Sequence, residues 1–69
     1  MKTLTGKEMV ALLEKDGWYV VRIKGSHHIM TKKNSKIRLS IPVHAGKTLK
    51  PGLQNYFLKI TEIKFLDKK

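Results

Sequence analysis

The polarity pattern along the chain changes period twice. Met9, Leu12 and Leu13, with Val10 on their flank, fall at helical spacing. Thr5-Gly6-Lys7-Glu8 stands before them as a capping box, with the Thr5 hydroxyl placed to accept from the Glu8 N–H and Glu8 to reach back. Leu4 and Met9 then occupy the two positions of a hydrophobic staple. Gly17 suits the left-handed position past a last turn, so a helix is predicted from about Gly6 to Asp16. Glu8 matches the positive end of its dipole, whereas Asp16 opposes the negative end.

The period then drops toward two. Trp18 to Ile23 is β-branched and aromatic and predicts a strand. Lys24-Gly25 forms a tight turn and His27 to Lys32 returns antiparallel. Lys33-Asn34-Ser35 is a second turn, followed by a strand over Lys36 to Ile41 with Ile37, Leu39 and Ile41 on one face. Pro42 is expected to end it, because proline cannot donate to a ladder. Residues 43–48 read as a loop carrying His44 and Gly46. Pro51 fits the first position of a second helix, in which Leu53, Tyr56, Phe57 and Ile60 predict an apolar face. Ile63, Phe65 and Leu66 fit neither period, so the tail is open to helix, strand or docked coil. No repeat, low-complexity tract or linker interrupts the chain.

Neither helices nor sheet can bury such stripes alone. The order α-β-β-β-α therefore predicts an α+β two-layer sandwich, with both helices on one face of a three-stranded antiparallel sheet. At 69 residues this is one domain, spanning 1–69. A chain of this size buries only about 60% of its unfolded surface, so the core is small. There is no cysteine, hence no disulfide and no thiolate metal site. Three histidines with few carboxylates do not make a stand-alone zinc site. The N-terminus lacks an apolar segment of signal-peptide length, and Met9 to Leu13 is too short to span a bilayer. A soluble, cytoplasmic protein is expected, and the lack of cysteine fits a reducing compartment.

Charge narrows the choice of partner. The net charge is +10, from 15 Lys and Arg against 5 Asp and Glu. Between Gly17 and Thr61 there is no acidic residue, while Arg22, Lys24, Lys32, Lys33, Lys36, Arg38, Lys47, Lys50 and Lys59 all lie there. Solubility alone would be served by mixed signs. An acid-free basic middle is expected of a surface that meets phosphate, where each neutralised phosphate releases counterions. Membrane binding is disfavoured, since no segment joins a basic face to a large apolar one.

Carboxylates near the termini only do not build a two-metal nuclease, and no nucleophile elbow, Walker loop or dinucleotide fingerprint is present. What remains is histidine, whose ordinary pKa lies nearest to neutral pH. RNA carries its own nucleophile, the 2′-hydroxyl. Cleaving it needs a base, an acid for the leaving 5′-oxygen and cations around the phosphate, with no cofactor and no metal. DNA lacks that hydroxyl. Lys24-Gly25-Ser26-His27-His28 gathers a turn, a hydroxyl, two imidazoles and an ammonium, with His27 as the catalytic candidate. Under strict alternation His27 shares a face with Ile29 and Thr31, and His28 with Met30 and Lys32. If Ile29 is the buried member, His27 points inward, unless alternation is not yet established directly after the turn. His28 is read as packing or RNA contact. His44 is read as a loop anchor that could share the acid and base roles.

Thr5-Gly6-Lys7-Glu8, Gly17, Lys24-Gly25-Ser26-His27-His28, Ile41-Pro42-Val43-His44 and Lys50-Pro51-Gly52-Leu53 together resemble the HicA-type toxins of toxin–antitoxin pairs, over roughly residues 3 to 60. The resemblance implies a fold like a double-stranded-RNA-binding domain and a metal-independent ribonuclease that cleaves mRNA and stops translation. It also implies neutralisation by a HicB-type antitoxin. The family's catalytic histidine, the one after Gly-Ser, corresponds to His27. Lys24, Gly25, Ser26, His28, Lys47 and Lys50 are the expected RNA contacts, with the start of the second helix aimed at phosphate. The chain departs from the family after that helix, where a glycine is usual and Lys59-Ile60-Thr61-Glu62 runs on without one. A monomer is favoured for the free chain. The alternative on the same fold and charge is a non-catalytic double-stranded-RNA-binding module. DNA binding is weaker, because no base-reading recognition helix is visible.

Overall fold

The computed structural model describes residues 3–63. Five elements follow in the expected order: α1 (Gly6–Lys15), β1 (Trp18–Lys24), β2 (His27–Lys32), β3 (Arg38–Pro42) and α2 (Pro51–Thr61). The strands form one antiparallel sheet in the order β1-β2-β3. The result is the α+β sandwich of a double-stranded-RNA-binding-like fold.

Local chemistry sets the ends of α1. Thr5 Oγ1 accepts from the Glu8 N–H at 3.1 Å, and Glu8 Oε1 accepts from the Thr5 N–H at 2.9 Å, completing the capping box. Leu4 and Met9 are both buried, as a staple requires. Gly17 takes φ +96°, where a side chain would be strained. Asp16, badly placed for the dipole, is paired with Lys32 Nζ at 3.2 Å.

One sheet face packs on the helices. Leu4, Met9, Leu13, Trp18, Met30, Leu39, Ile41, Leu49 and Phe57 form the core, and the register pairs Met30 with Leu39 and Val20 in its centre. In β2 the buried apolar residue is therefore Met30, fully enclosed, while Ile29 is half-buried on the opposite face. His27 shares the open face with Ile29, so the conflict over its direction disappears without any break in alternation. A bulge helps to polarise that face. Val21 is the extra residue between the pairs Val20–Met30 and Arg22–Ile29, so a guanidinium rather than a valine stands opposite Ile29.

Three expectations are corrected. The third strand starts at Arg38, not Lys36, and Ile37 lies outside it, 39% exposed. Side chains have taken its backbone groups: the Ile37 N–H donates to Ser35 Oγ and the Ile37 carbonyl accepts from Thr31 Oγ1. Pro42 is the last residue of β3 rather than the stop beyond it, tolerated because β3 is an edge strand that needs no outward N–H. Tyr56, placed on the apolar face of α2 by its spacing, is 51% exposed.

The inward position beside Phe57 is held instead by Gln54, which is fully buried and accepts the Leu4 N–H through Oε1 at 2.6 Å. The Leu4 carbonyl accepts from the Leu49 N–H at 2.7 Å, and Thr5 bridges to Thr48. The segment before α1 is thus stitched to the loop before α2. Gly6, at the first turn of α1, lies against the backbone of Pro42 and Val43 so closely that no Cβ fits. Glu62 caps α2 in the left-handed region at φ +58°, and the Ile63 N–H closes back to the Leu58 carbonyl. A non-glycine residue thereby takes the conformation for which the resemblance led one to expect a glycine. The tail from residue 64 on lies outside the described residues.

Candidate active site

The β1–β2 hairpin places His27. Gly25 and Ser26 make the two-residue turn, with φ +59° at Gly25 and no positive φ at Ser26, the pattern of a type II′ connection. Its twist matches that of the flanking strands, so His27 enters β2 directly in register, between Lys24 on β1 and Pro42 on β3. The Val43 N–H donates to the Ser26 carbonyl at 2.7 Å and ties the turn to the end of β3.

The His27 ring is exposed on the open face, with Nδ1 3.1 Å from Ser40 Oγ. Whichever tautomer is present, that contact engages Nδ1 and leaves Nε2 as the ring nitrogen it does not occupy. Ser40 was not a sequence candidate. Its signal was the register itself, since alternation puts every second residue of β3 on the open face and Ser40 stands opposite Ile29. Arg22 and Arg38 lie on the same face, and Lys24 is the cross-strand neighbour of His27. Three of the nine basic residues of the acid-free stretch, Arg22, Lys24 and Arg38, thus share the open face with this imidazole.

The remaining candidates separate into two environments. His28 shares the face of Met30, turned toward the helices, and its Nδ1 is buried with no hydrogen-bond partner among the described residues. That placement suits the packing role of the two offered to it. His44, Lys47 and Lys50 are exposed around a cavity of about 390 Å³ whose wall also includes Pro42. The loop that carries them turns sharply, with the Lys47 N–H on the His44 carbonyl at 3.1 Å and Gly46 at φ +72°, as a type II turn demands of its third residue. Pro42 is the link that sequence reading missed. It is the register partner of His27 and at the same time lines the cavity of His44, Lys47 and Lys50.

No group of three or more His, Cys, Asp or Glu side chains among the described residues is placed to hold a metal ion. Among the same residues no helix is long and apolar enough to cross a membrane. No curated protein matches the chain. A family model does: that of the HicA toxin of bacterial toxin–antitoxin systems covers residues 6–63, from the first turn of α1 through α2 and including the hairpin that presents His27. The chain belongs to that toxin family.

Proposed function

We propose that the chain is an endoribonuclease toxin that cleaves mRNA without a metal ion, with His27 as its general acid/base. The observation that carries this reading is an exposed imidazole, oriented by Ser40 at 3.1 Å, at the centre of a stretch of chain free of acidic residues. Nε2 of His27 takes the proton of a ribose 2′-hydroxyl, and the oxygen attacks the adjacent phosphorus. The P–O5′ bond breaks, and the leaving oxygen is protonated by an imidazolium or by water. The products are a 2′,3′-cyclic phosphate and a 5′-hydroxyl end. Charge develops on the non-bridging oxygens in this step, where the Lys24 ammonium and the turn amides of Gly25 and Ser26 are suited to meet it. Lys47 and Lys50 extend the basic surface along the strand. His28 is left to packing.

The partner that restrains the toxin is, on this reading, an antitoxin of the HicB type, and the site of action is the cytoplasm. Covering the open face around His27 would suffice for inhibition.

The His27→Ala protein tests the reading. Because His27 is exposed, its melting temperature should match the parent's. RNA cleavage should fall by at least about 100-fold, the lower range for loss of a general acid/base, and growth arrest should vanish. Cleavage by the parent should persist in EDTA. An active His27→Ala protein would overturn the mechanism. RNA that is shifted on a gel but intact after hours would select the non-catalytic RNA-binding module.

A further inference from the structure

The cavity beside the site is not accounted for by phosphate binding alone. Pro42, Leu49 and Leu53 form its floor, with Leu49 only 5% exposed, and His44, Lys47 and Lys50 stand around its rim. At about 390 Å³ it lies within the range of small-ligand pockets, which run from about 300 to 1,000 Å³. A surface built only to follow a phosphate chain needs cations and hydrogen-bond donors, not an apolar recess. An apolar floor with a cationic rim and an imidazole at the mouth matches an unstacked nucleotide, its base on the floor or against the imidazole and its phosphate at the lysines. The position supports this. Pro42 belongs both to the cavity wall and to the register pair with His27, so one residue joins the recess to the strand position of the proposed reacting imidazole.

We infer that this cavity is a base-binding subsite: it holds a single unpaired nucleotide of the RNA next to the scissile phosphate and gives the cleavage its sequence preference. The inference rests on the ribonuclease reading for its biological sense, but base binding itself can be observed without catalysis.

The test uses His27→Ala protein, which leaves RNA intact, with methyl resonances of Leu49 and Leu53 as reporters. It is titrated separately with adenosine, guanosine, cytidine and uridine 5′-monophosphates and with ribose 5-phosphate. At least one nucleotide should shift both methyls saturably, and ribose 5-phosphate should not. Leu53→Trp, which fills the recess and is read at the Leu49 methyls, should weaken that nucleotide by occlusion, and His44→Ala should weaken it by about tenfold, in keeping with one lost base-stacking contact. An unchanged amide spectrum away from the recess shows that each variant is folded. If the Leu53→Trp protein does not fold, the His44→Ala titration stands on its own. Shifts of equal size with ribose 5-phosphate would reduce the site to phosphate binding and overturn the inference. So would the absence of shifts at the two leucines. A chain that binds nucleotides here but never cleaves RNA would refute the nuclease reading while leaving the subsite in place.

Discussion

Gly6 is the position where two opposing effects can be separated by magnitude. It opens α1, and replacing a glycine by alanine in a helix is ordinarily favourable by about 0.8–1 kcal/mol, less in the first turn. Here the added methyl would overlap the Pro42 carbonyl oxygen and lie 2.8 Å from Val43 Cα. Both obstacles are backbone, so no rotamer change relieves them. Overpacking of this kind costs about 1–3 kcal/mol, and more when the neighbour cannot move. The clash should win, leaving Gly6→Ala less stable by about 2 kcal/mol. In a domain of this size each kcal/mol is worth about 4–8 °C, so the melting temperature should fall by about 8–16 °C. Gly52, the second residue of α2, has open space where a Cβ would stand, with no other group within 4 Å, and provides the control. Gly52→Ala should raise the melting temperature by a few degrees, since only the propensity gain of about 0.4–1 kcal/mol applies. Thermal melts followed by circular dichroism measure both. A Gly6→Ala protein that melts at or above the parent's temperature would refute the packing account. The residue that Gly6 presses on is the register partner of His27, so folded Gly6→Ala should also lose cleavage.

Three further outcomes follow from single contacts. Gln54→Leu removes the acceptor of the buried Leu4 N–H, and an orphaned buried donor costs about 1–3 kcal/mol, so urea unfolding should shift to a lower midpoint; an unchanged midpoint would mean the bond contributes nothing. Glu62→Gly relieves a side chain held at φ +58° and should stabilise by about 1 kcal/mol, read as a higher melting temperature. Ser40→Ala removes the partner of His27 Nδ1; losing a hydrogen bond worth about 1 kcal/mol should lower kcat about fivefold. KM should hold, and Ser40→Thr should restore the rate.

What the sequence could and could not reveal follows from the range of the forces involved. The capping box, the staple and Gly17 act within four residues and were legible outright. A hairpin turn at Gly25 was equally local, though it falls on Gly25-Ser26, one residue later than Lys24-Gly25, because Lys24 stays in β1. The facing of β2 was not, because Ile29 and Met30 are adjacent and both apolar, and a period of two cannot choose between them. The choice is made by Leu39 and Val20 across the strands. Tyr56 was placed inside because its spacing fits the stripe, but the rotation of α2 brings Gln54 inward to meet Leu4, a partner 50 residues away. No local pattern carries that information. Ser40 and Pro42 became visible only with the register, since each matters for what lies opposite it.

These long-range contacts also explain how so small a domain could support a precise site. The core uses only the helix-facing side of the sheet, so His27 sits where its own side chain adds little to stability. Its position is fixed from behind instead. The Val43 N–H holds the hairpin turn through the Ser26 carbonyl, Gly6 presses on Pro42, and Thr5 with Leu4 joins that end of α1 to Thr48, Leu49 and Gln54. The backbone that carries His27, the end of β3 and the rim of the cavity are therefore one connected piece, clamped by the segment that precedes α1. Precision at the open face is thus supplied in part from behind, by Leu4, Thr5, Gly6 and Gln54, none of which belongs to the proposed RNA contacts. On the ribonuclease reading, a loosened clamp should degrade cleavage while the basic surface, and with it most of the proposed affinity for RNA, stays in place.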